Sequence, residues 1–397
     1  KQPRHPHGSC RYRRPVHDGF SGLIRVMAPS DRIHSYEDAR QLARRRLPWM
    51  VFDYIDGAAG TGDGEATNLA ALRAIRLQPR VLVNVAERDI GVPVFDHQGT
   101  LPFGVSPMGM CNLSWPGADL MLARFAARHK VPLGVSTVSS TSLEKIIEAA
   151  QGHAWFQLYF SGDGSGTSRL IERAKAAGYR TIILTVDVPE VGRRPRELRR
   201  GFTMPFKIGP KQFIDFALHP EWSLTSLVKG RPELANFTEP GFGFDRTASR
   251  AGADWEFFDR LRDMWDGNLV VKGVTSPEDA LRLKAAGADA IQVSSHGGRQ
   301  LDCGPRPILA LQAIRQALGA EFPLFYDTGL RSGDDVVRAY AMGADFVFFG
   351  RAMQYAIAAG GEDGLRKLGD VFAAETNLTL AQIGRRNMQD LKGCIAD

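Results

Sequence analysis

A chain of 397 residues, 44% apolar and 24% charged, has the make-up of a soluble globular protein and is long enough for one large domain or two ordinary ones. Its formal charge of +6 sits almost wholly in residues 1–26, where Lys1, Arg4, Arg11, Arg13, Arg14 and Arg25 face Asp18 alone, so the near-neutral body gives no case for nucleic-acid binding. No apolar run of roughly 18 residues is present to span a membrane; Cys10, Cys111, Cys303 and Cys394 stand too far apart for a disulfide framework or a metal site and point to a reducing, cytoplasmic setting.

In chain order, residues 1–30 read as a basic, disordered tail or a start-site artefact, with none of the apolar stretch of a secretory signal. Residues 34–76 read as helices packed ahead of the main domain, opening on a cap at Ser35 and turning at Asp56-Gly57. From 101 to 350, short β-branched runs alternate with helical patterns. The predicted strands are 101–107, 131–138, 154–160, 181–188, 268–274, 289–295, 323–328 and 345–349. Predicted helices include Asp119–His129, Ser168–Ala177, Asp254–Trp265, Pro277–Ala286 and Asp334–Met342, with the last at Met353–Ala359. Eight buried apolar strands alternating with helices predict an α/β fold, a single (β/α)₈ (TIM) barrel domain over 31–397. An open doubly wound sheet is the alternative, but no GxGxxG follows the first strand. Residues 189–250, rich in Gly, Pro and Phe, form a long loop insertion after the fourth strand.

Chemistry in such a barrel sits at the C-terminal strand ends. Those ends read Ser106-Pro107-Met108-Gly109, Ser136-Thr137, Gln157-Leu158-Tyr159, Thr185-Val186-Asp187, Lys272-Gly273, Ser294–Arg299, Asp327–Arg331 and Gly350-Arg351. Any one could be an ordinary strand cap; eight together describe a polar mouth over an apolar core. Gly329/Arg331 and Gly350/Arg351 combine open backbone with forked cations, suited to a phosphate, against the plainer reading of two exposed turn arginines. His296 and Asp187 enter the mouth from different strands, where the carboxylate would favour the protonated ring. Lys272 ends an apolar strand and needs an anionic partner, or forms a Schiff base.

The run SSHGGRQ at 294–300, followed by Leu301-Asp302, resembles the active-site signature of the FMN-dependent L-2-hydroxy acid dehydrogenase and oxidase family. The resemblance continues through 47–60 (LPWMVFDYIDGAAG), SPMG (106–109), WFQLY (155–159), LTVDVPEVGRR (184–194), VVKGV (270–274), DTGLRSG (327–333) and FFGRA (348–352), and so spans residues 35–390. It is similar above all to the bacterial L-lactate and mandelate dehydrogenases, including Trp115-Pro116 and HPEWSL at 219–224, and also to glycolate oxidase.

The resemblance implies FMN as cofactor and a small 2-hydroxy acid as substrate. It implies that His296 is the general base with Asp187 its partner, that Tyr54 and Arg299 hold the substrate carboxylate, and that Arg194 is a second active-site arginine. Tyr159 would contact the substrate hydroxyl, and Lys272 the flavin N1/O2 edge. Ser106, Pro107, Met108 and Gly109 would lie under the flavin ring. Ser136, Gln157, Thr185, Ser294 and Asp327 would bind the ring or ribityl chain; Thr328, Gly329, Arg331, Gly350 and Arg351 would lie at the phosphate. No metal is implied, and a homo-oligomer, a tetramer, is. Three positions depart from the pattern: Ser295 for an Asn, Thr328 for Gly or Ser, and Val138 where glycolate oxidase has a large aromatic.

Electrons would pass to a quinone-type acceptor, or to oxygen in the oxidase alternative, towards which Gly109 leans less because some family oxidases carry Ala there. A non-catalytic phosphate-ligand barrel and a Lys272 aldolase are the readings from other classes. The 201–240 segment sets Phe202, Phe206, Phe213, Phe216, Leu218, Trp222, Leu224 and Leu227 beside Lys207, Lys211, Lys229 and Arg231. That mix suits either docking at the inner face of the cell membrane or a lid or subunit contact.

Overall fold

The structure, a computed structural model, describes residues 28–160, 164–203, 207–230, 233–237 and 249–396. The basic tail up to Met27 lies outside them; its predicted last residues belong to a 3₁₀ turn, Pro29–Arg32.

Three helices precede the barrel: α1 (Tyr36–Arg46), α2 (Trp49–Asp56) and α3 (Asp63–Ala74). Ser35 caps α1 as expected, its hydroxyl accepting from the Asp38 N–H, and α2 ends at Asp56 with Gly57 as its C-cap. A small hairpin of β1 (Val92–Val94) and β2 (His97–Gly99) follows. Eight parallel strands then close in sequence order: β3 (Phe103–Met108), β4 (Leu133–Ser136), β5 (Ala154–Leu158), β6 (Thr181–Thr185), β7 (Asn268–Val274), β8 (Ala290–Val293), β9 (Leu324–Tyr326) and β10 (Phe346–Phe349), with β10 back against β3. This is the predicted (β/α)₈ barrel. Around it lie α4 (Ala118–His129), α5 (Leu143–Ala149), α6 (Ser165–Ala176), α7 (Pro195–Arg200), α8 (Pro210–Ala217), α9 (Pro220–Lys229), α10 (Trp255–Met264), α11 (Pro277–Ala285), α12 (Pro307–Leu318), α13 (Gly333–Ala341) and α14 (Arg351–Gln382).

Six of the barrel strands are buried along their whole length, and β3 and β7 are half-buried only towards their ends, as mostly apolar runs require. Trp155, Phe325 and Phe348 pack inside, and Phe95 of the hairpin lies tilted against Trp155 and edge-on to Phe325 to plug the N-terminal end. Several strands stop two or three residues before the predicted ends. At β8 and β9 the cause is backbone: His296 (φ 55°) and Thr328 (φ 99°) turn left-handed just past the sheet, which a ladder cannot continue. The last helix is far longer than the predicted 353–359, and its axis breaks at Gly360 and Gly361, which leave helical geometry.

The 189–250 insertion is not a plain loop: its described part contains α7, α8 and α9. Each has proline in its first turn (Pro195, Pro210, Pro220), where the missing N–H costs nothing. The buried carboxylate of Asp215 on α8 accepts the backbone N–H groups of Trp49 (3.0 Å) and Met50 (3.2 Å), capping α2, and Trp222 on α9 donates to the Leu113 carbonyl (2.8 Å). These bonds hold one face of the α8–α9 pair on the body of the protein.

Candidate active site

A cleft of about 220 Å³ opens over the C-terminal strand ends, whereas a second cavity beneath it, of about 10 Å³, has room for a water at most. Lining the cleft are Tyr54, Ser106, Pro107, Met108, Gly109, Tyr159, Arg194, Lys272, His296, Arg299, Asp327, Thr328, Gly329, Arg331, Gly350 and Arg351. Ser136, Gln157, Thr185, Asp187 and Ser294 sit behind that lining. The structure thus gathers the expected site residues at one end of one barrel.

His296 Nδ1 lies 3.1 Å from Asp187 Oδ1. Asp187 is held below its usual pKa: burial, the largest single influence, pushes it up, but His296 and Lys272 together outweigh it. An ionised carboxylate can only accept, so the ring's proton sits on Nδ1 and Nε2 carries the lone pair. Asp187 also pulls the His296 pKa upward, as expected from sequence, yet the net shift is downward because burial, aided by Lys272 and Arg194, is stronger. The neutral ring is the basic form. His296 reaches this place through the sequence Ser294–Gly298: the Ser294 hydroxyl accepts the His296 N–H (3.0 Å), and His296, Gly297 and Gly298 are all left-handed. Only glycine fits at 298, where a Cβ would come 2.8 Å from the Glu65 nitrogen.

Lys272 has the anionic partner its burial demands. Its Nζ is 3.5 Å from Asp327 Oδ2 and donates to Ser294 Oγ at 2.9 Å. Burial lowers its pKa less than Asp327 and Asp187 raise it, so the ammonium stays charged. Asp327 Oδ2 also accepts from Ser106 (2.7 Å) and Gln292 (2.9 Å). Next to it, the Gln157 amide oxygen accepts from Ser136 (3.1 Å) and the Thr137 N–H (3.4 Å). This leaves Gln157 Nε2, like Thr185 Oγ1, buried with no hydrogen-bond partner among the described residues. Such orphans cost on the order of 1–3 kcal/mol each.

Two pairs of arginines border the cleft, each sharing one glutamate that sequence reading had not singled out. Arg194 (3.4 Å) and Arg299 (3.0 Å) share Glu197 Oε1. Arg299 lies over the Tyr54 ring at 5.5 Å and donates to the Ile55 and Gly57 carbonyls. Burial first, then repulsion from Arg194, lowers its pKa to about 10. Two guanidinium groups against one carboxylate leave a net positive charge, the condition for receiving an anion. Tyr159, between them and Asp187, has its hydroxyl pushed up to about 12, by burial and then by Asp187, so it is a donor at neutral pH. At the other end, Arg331 (3.2 Å) and Arg351 (2.8 Å) share Glu65 Oε1.

Other lining residues escaped sequence reading. Arg250, over the Tyr159 ring at 5.1 Å, ends the insertion and does not follow a strand. Asn68 on α3 donates to Ser295 Oγ (2.8 Å), so the residue that departs from the usual signature is hydrogen-bonded in place. Of the departures, Val138 bears on the cleft most directly: a Cβ on Gly109 would fall 2.6 Å from Val138 Cγ2.

A family model described as FMN-dependent dehydrogenase matches residues 43–396. The (S)-mandelate dehydrogenase of Pseudomonas putida is 37% identical over 362 residues, 89% of this chain and 91% of that protein. The L-lactate dehydrogenase of Pseudomonas aeruginosa is 36% identical over 369 residues, 90% of this chain and 97% of that one. Among solved structures, the monotopic membrane protein (S)-mandelate dehydrogenase superposes with a TM-score of 0.86 at 36% identity, covering 91% of this chain and 98% of the other. A mandelate oxidase gives 0.79 at 33% identity, covering 90% and 97%. On a model match and relatives that run along almost the whole barrel, the protein belongs to the FMN-dependent dehydrogenase family.

Proposed function

We propose that the protein oxidises a 2-hydroxy acid of the lactate or mandelate kind to the 2-keto acid, with His296 as the base. The observation that carries the reading is the neutral His296 ring paired with the ionised Asp187, facing a cleft whose two arginines, Arg194 and Arg299, exceed their glutamate by one charge. The FMN of this family fits the same cleft. The unpartnered Gln157 Nε2 and Thr185 Oγ1 would be met by a polar flavin edge, as would Lys272, and Gly329 and Gly350 leave backbone room beside Arg331 and Arg351 for a phosphate. When bound, FMN supplies a two-electron acceptor inside the protein.

The chain's own residues then divide the work. Arg299 and Tyr54, with Arg194, grip the substrate carboxylate and fix the hydroxyl-bearing carbon towards His296. Tyr159 donates to the substrate hydroxyl. His296 takes the substrate proton on Nε2, and Asp187, already on Nδ1, stabilises the imidazolium formed. Val138, smaller than an aromatic, leaves room for a substrate larger than glycolate. A quinone-type acceptor fits better than oxygen: the alanine of some family oxidases at position 109 would collide with Val138.

The α8–α9 pair supports a site of action at a membrane surface. No described helix is long and apolar enough to cross a membrane. Phe213, Ile214, Leu218, Leu224, Leu227 and Val228 are nonetheless each more than half exposed, with Lys207, Lys211 and Lys229 exposed among them. The opposite face carries the Asp215 and Trp222 bonds to the body, which a lid would have to break to move. Phe206 and Arg231, which belonged to the same expectation, lie outside the described residues.

A substrate panel of lactate, mandelate and glycolate, with a quinone analogue and oxygen as rival acceptors, tests the reading. It predicts turnover of lactate or mandelate with the quinone analogue well above that with oxygen. Faster turnover with oxygen overturns the acceptor; no turnover of any 2-hydroxy acid overturns the substrate class. For docking, Leu227→Glu with Val228→Glu should abolish sedimentation with anionic vesicles while leaving dye reduction intact. A wild type that never sediments with vesicles ends the membrane reading.

A further inference from the structure

The Arg331–Arg351 end of the cleft already holds an anion. Arg351 spends Nε on the Ile55 carbonyl (3.2 Å) and Nη2 on those of Gly57 (3.3 Å) and Gly297 (2.8 Å). Its remaining edge, Nη1, donates to Glu65 Oε1 at 2.8 Å. Arg331, lying over the Tyr36 ring at 5.1 Å, donates from Nη2 to the same oxygen at 3.2 Å. One carboxylate oxygen therefore bridges the two cations on which the proposed function relies for a phosphate. A phosphate monoester carries about −1.5 to −2 charges at neutral pH, a match for two guanidinium groups. With Glu65 in place the pair offers only one.

Glu65 can leave. It stands in the first turn of α3, with its side chain about a quarter exposed. The helix itself is fixed without it: Asp302 accepts the Thr61 and Gly64 N–H groups at 2.8 Å each, and Asn68 holds Ser295. The glutamate also has a reason to stay while no phosphate is present. Among the described residues, the other hydrogen bonds of Arg351 go to neutral carbonyls, and a largely buried cation without a close counter-ion is costly.

We propose that Glu65 is a resident anion of the phosphate subsite. Its carboxylate offsets one of the two charges of Arg331 and Arg351 in the flavin-free protein and must yield them when FMN binds, so that this chain holds FMN more weakly than its arginines alone would allow. This rests on the reading of that end as the phosphate site. The competing account is a clamp: Glu65 simply ties α3 to the barrel and stays put beside the bound cofactor.

FMN and riboflavin dissociation constants, measured by flavin fluorescence on wild type, Glu65→Gln and Glu65→Leu, separate these. Displacement predicts that both variants hold FMN about tenfold tighter, with riboflavin, which lacks the phosphate, unchanged within about twofold. Melting curves provide a second readout: the rise in Tm on adding FMN should be larger in both variants than in wild type. Unchanged or weaker FMN binding in variants that still fold overturns the proposal, as does equal tightening for riboflavin. Should a variant fail to fold even with FMN present, the clamp account wins. Wild type that binds riboflavin as tightly as FMN would instead remove the phosphate from this end, and the site reading with it.

Discussion

The two ends of the barrel are built from the same strands and treat their polar groups in opposite ways. At the N-terminal end the turns Gly287-Ala288-Asp289 and Gly343-Ala344-Asp345 repeat one device. A left-handed glycine lies two residues before an aspartate whose Oδ2 accepts an N–H at the start of a neighbouring strand, from Leu269 (2.7 Å) or Leu324 (2.9 Å), and an arginine of a nearby helix, Arg262 or Arg315. Trp155 there donates to His97 Nε2 (2.9 Å), which leaves the His97 proton on Nδ1 to donate to His153 Nδ1 (2.8 Å). Each of these donors has its acceptor. At the C-terminal end Gln157 Nε2, Thr185 Oγ1 and Asp187 Oδ2 go unpartnered among the described residues. One end is closed for stability. The other carries open valences, which is what a binding site requires.

Four changes break or sharpen that contrast. The largest effect is expected from His296→Gln, which should cut flavin reduction by substrate about 10²–10⁴-fold or more while flavin affinity holds; anaerobic stopped-flow absorbance measures both, and near-normal reduction removes His296 as the base. Arg299→Met should raise KM about 10–100-fold, the worth of a charged hydrogen bond, with the flavin retained. Flavin loss at unchanged KM would assign Arg299 to the cofactor instead. At the closed end, Asp345→Ala should cost about 1.5–3 kcal/mol in urea unfolding and leave flavin affinity alone; a stable variant that sheds flavin would contradict the division between ends. The smallest effect is the pH response of His97, whose pKa is depressed to about 4 by burial, Asp96 opposing. The folded state therefore disfavours the proton that the unfolded chain takes up near pH 6.5. The stability belonging to the neutral ring is present above pH 6.5 and lost as pH falls towards 4. His97→Gln, which can still accept from Trp155, should lessen that acid loss; identical pH profiles in the two proteins would rule it out.

How far sequence reaches follows the same division. The mouth was legible because each strand end joins an apolar run to a short polar motif, so SSHGGRQ, DTGLRSG and FFGRA could be placed by local pattern alone. Lys272 even announced its need for an anion, which Asp327 supplies. Glu65 and Glu197 were not legible. Each lies in the first turn of a helix outside the barrel, where an acidic residue reads as ordinary favourable capping charge. Only the tertiary fold brings Glu65 to Arg331 and Arg351, and Glu197, three residues from Arg194, to Arg299. Arg250 was hidden likewise by the insertion. In α8 and α9 the signal was present but misjudged: a proline in the first turn of each was a helix start, and the phenylalanines drew the reading towards a loop.

The contrast between the two ends is tested most directly by hydrogen–deuterium exchange of the protein with and without saturating FMN. Protection should appear at 106–109, 136–138, 157–159, 185–187, 294–299, 327–331 and 350–352. The hairpin at 92–99 and the turns at 287–290 and 343–346 should exchange at the same rate in both samples. Protection spread evenly over both ends, or gathered at the N-terminal turns, would contradict the assignment of one end to ligand and the other to stability.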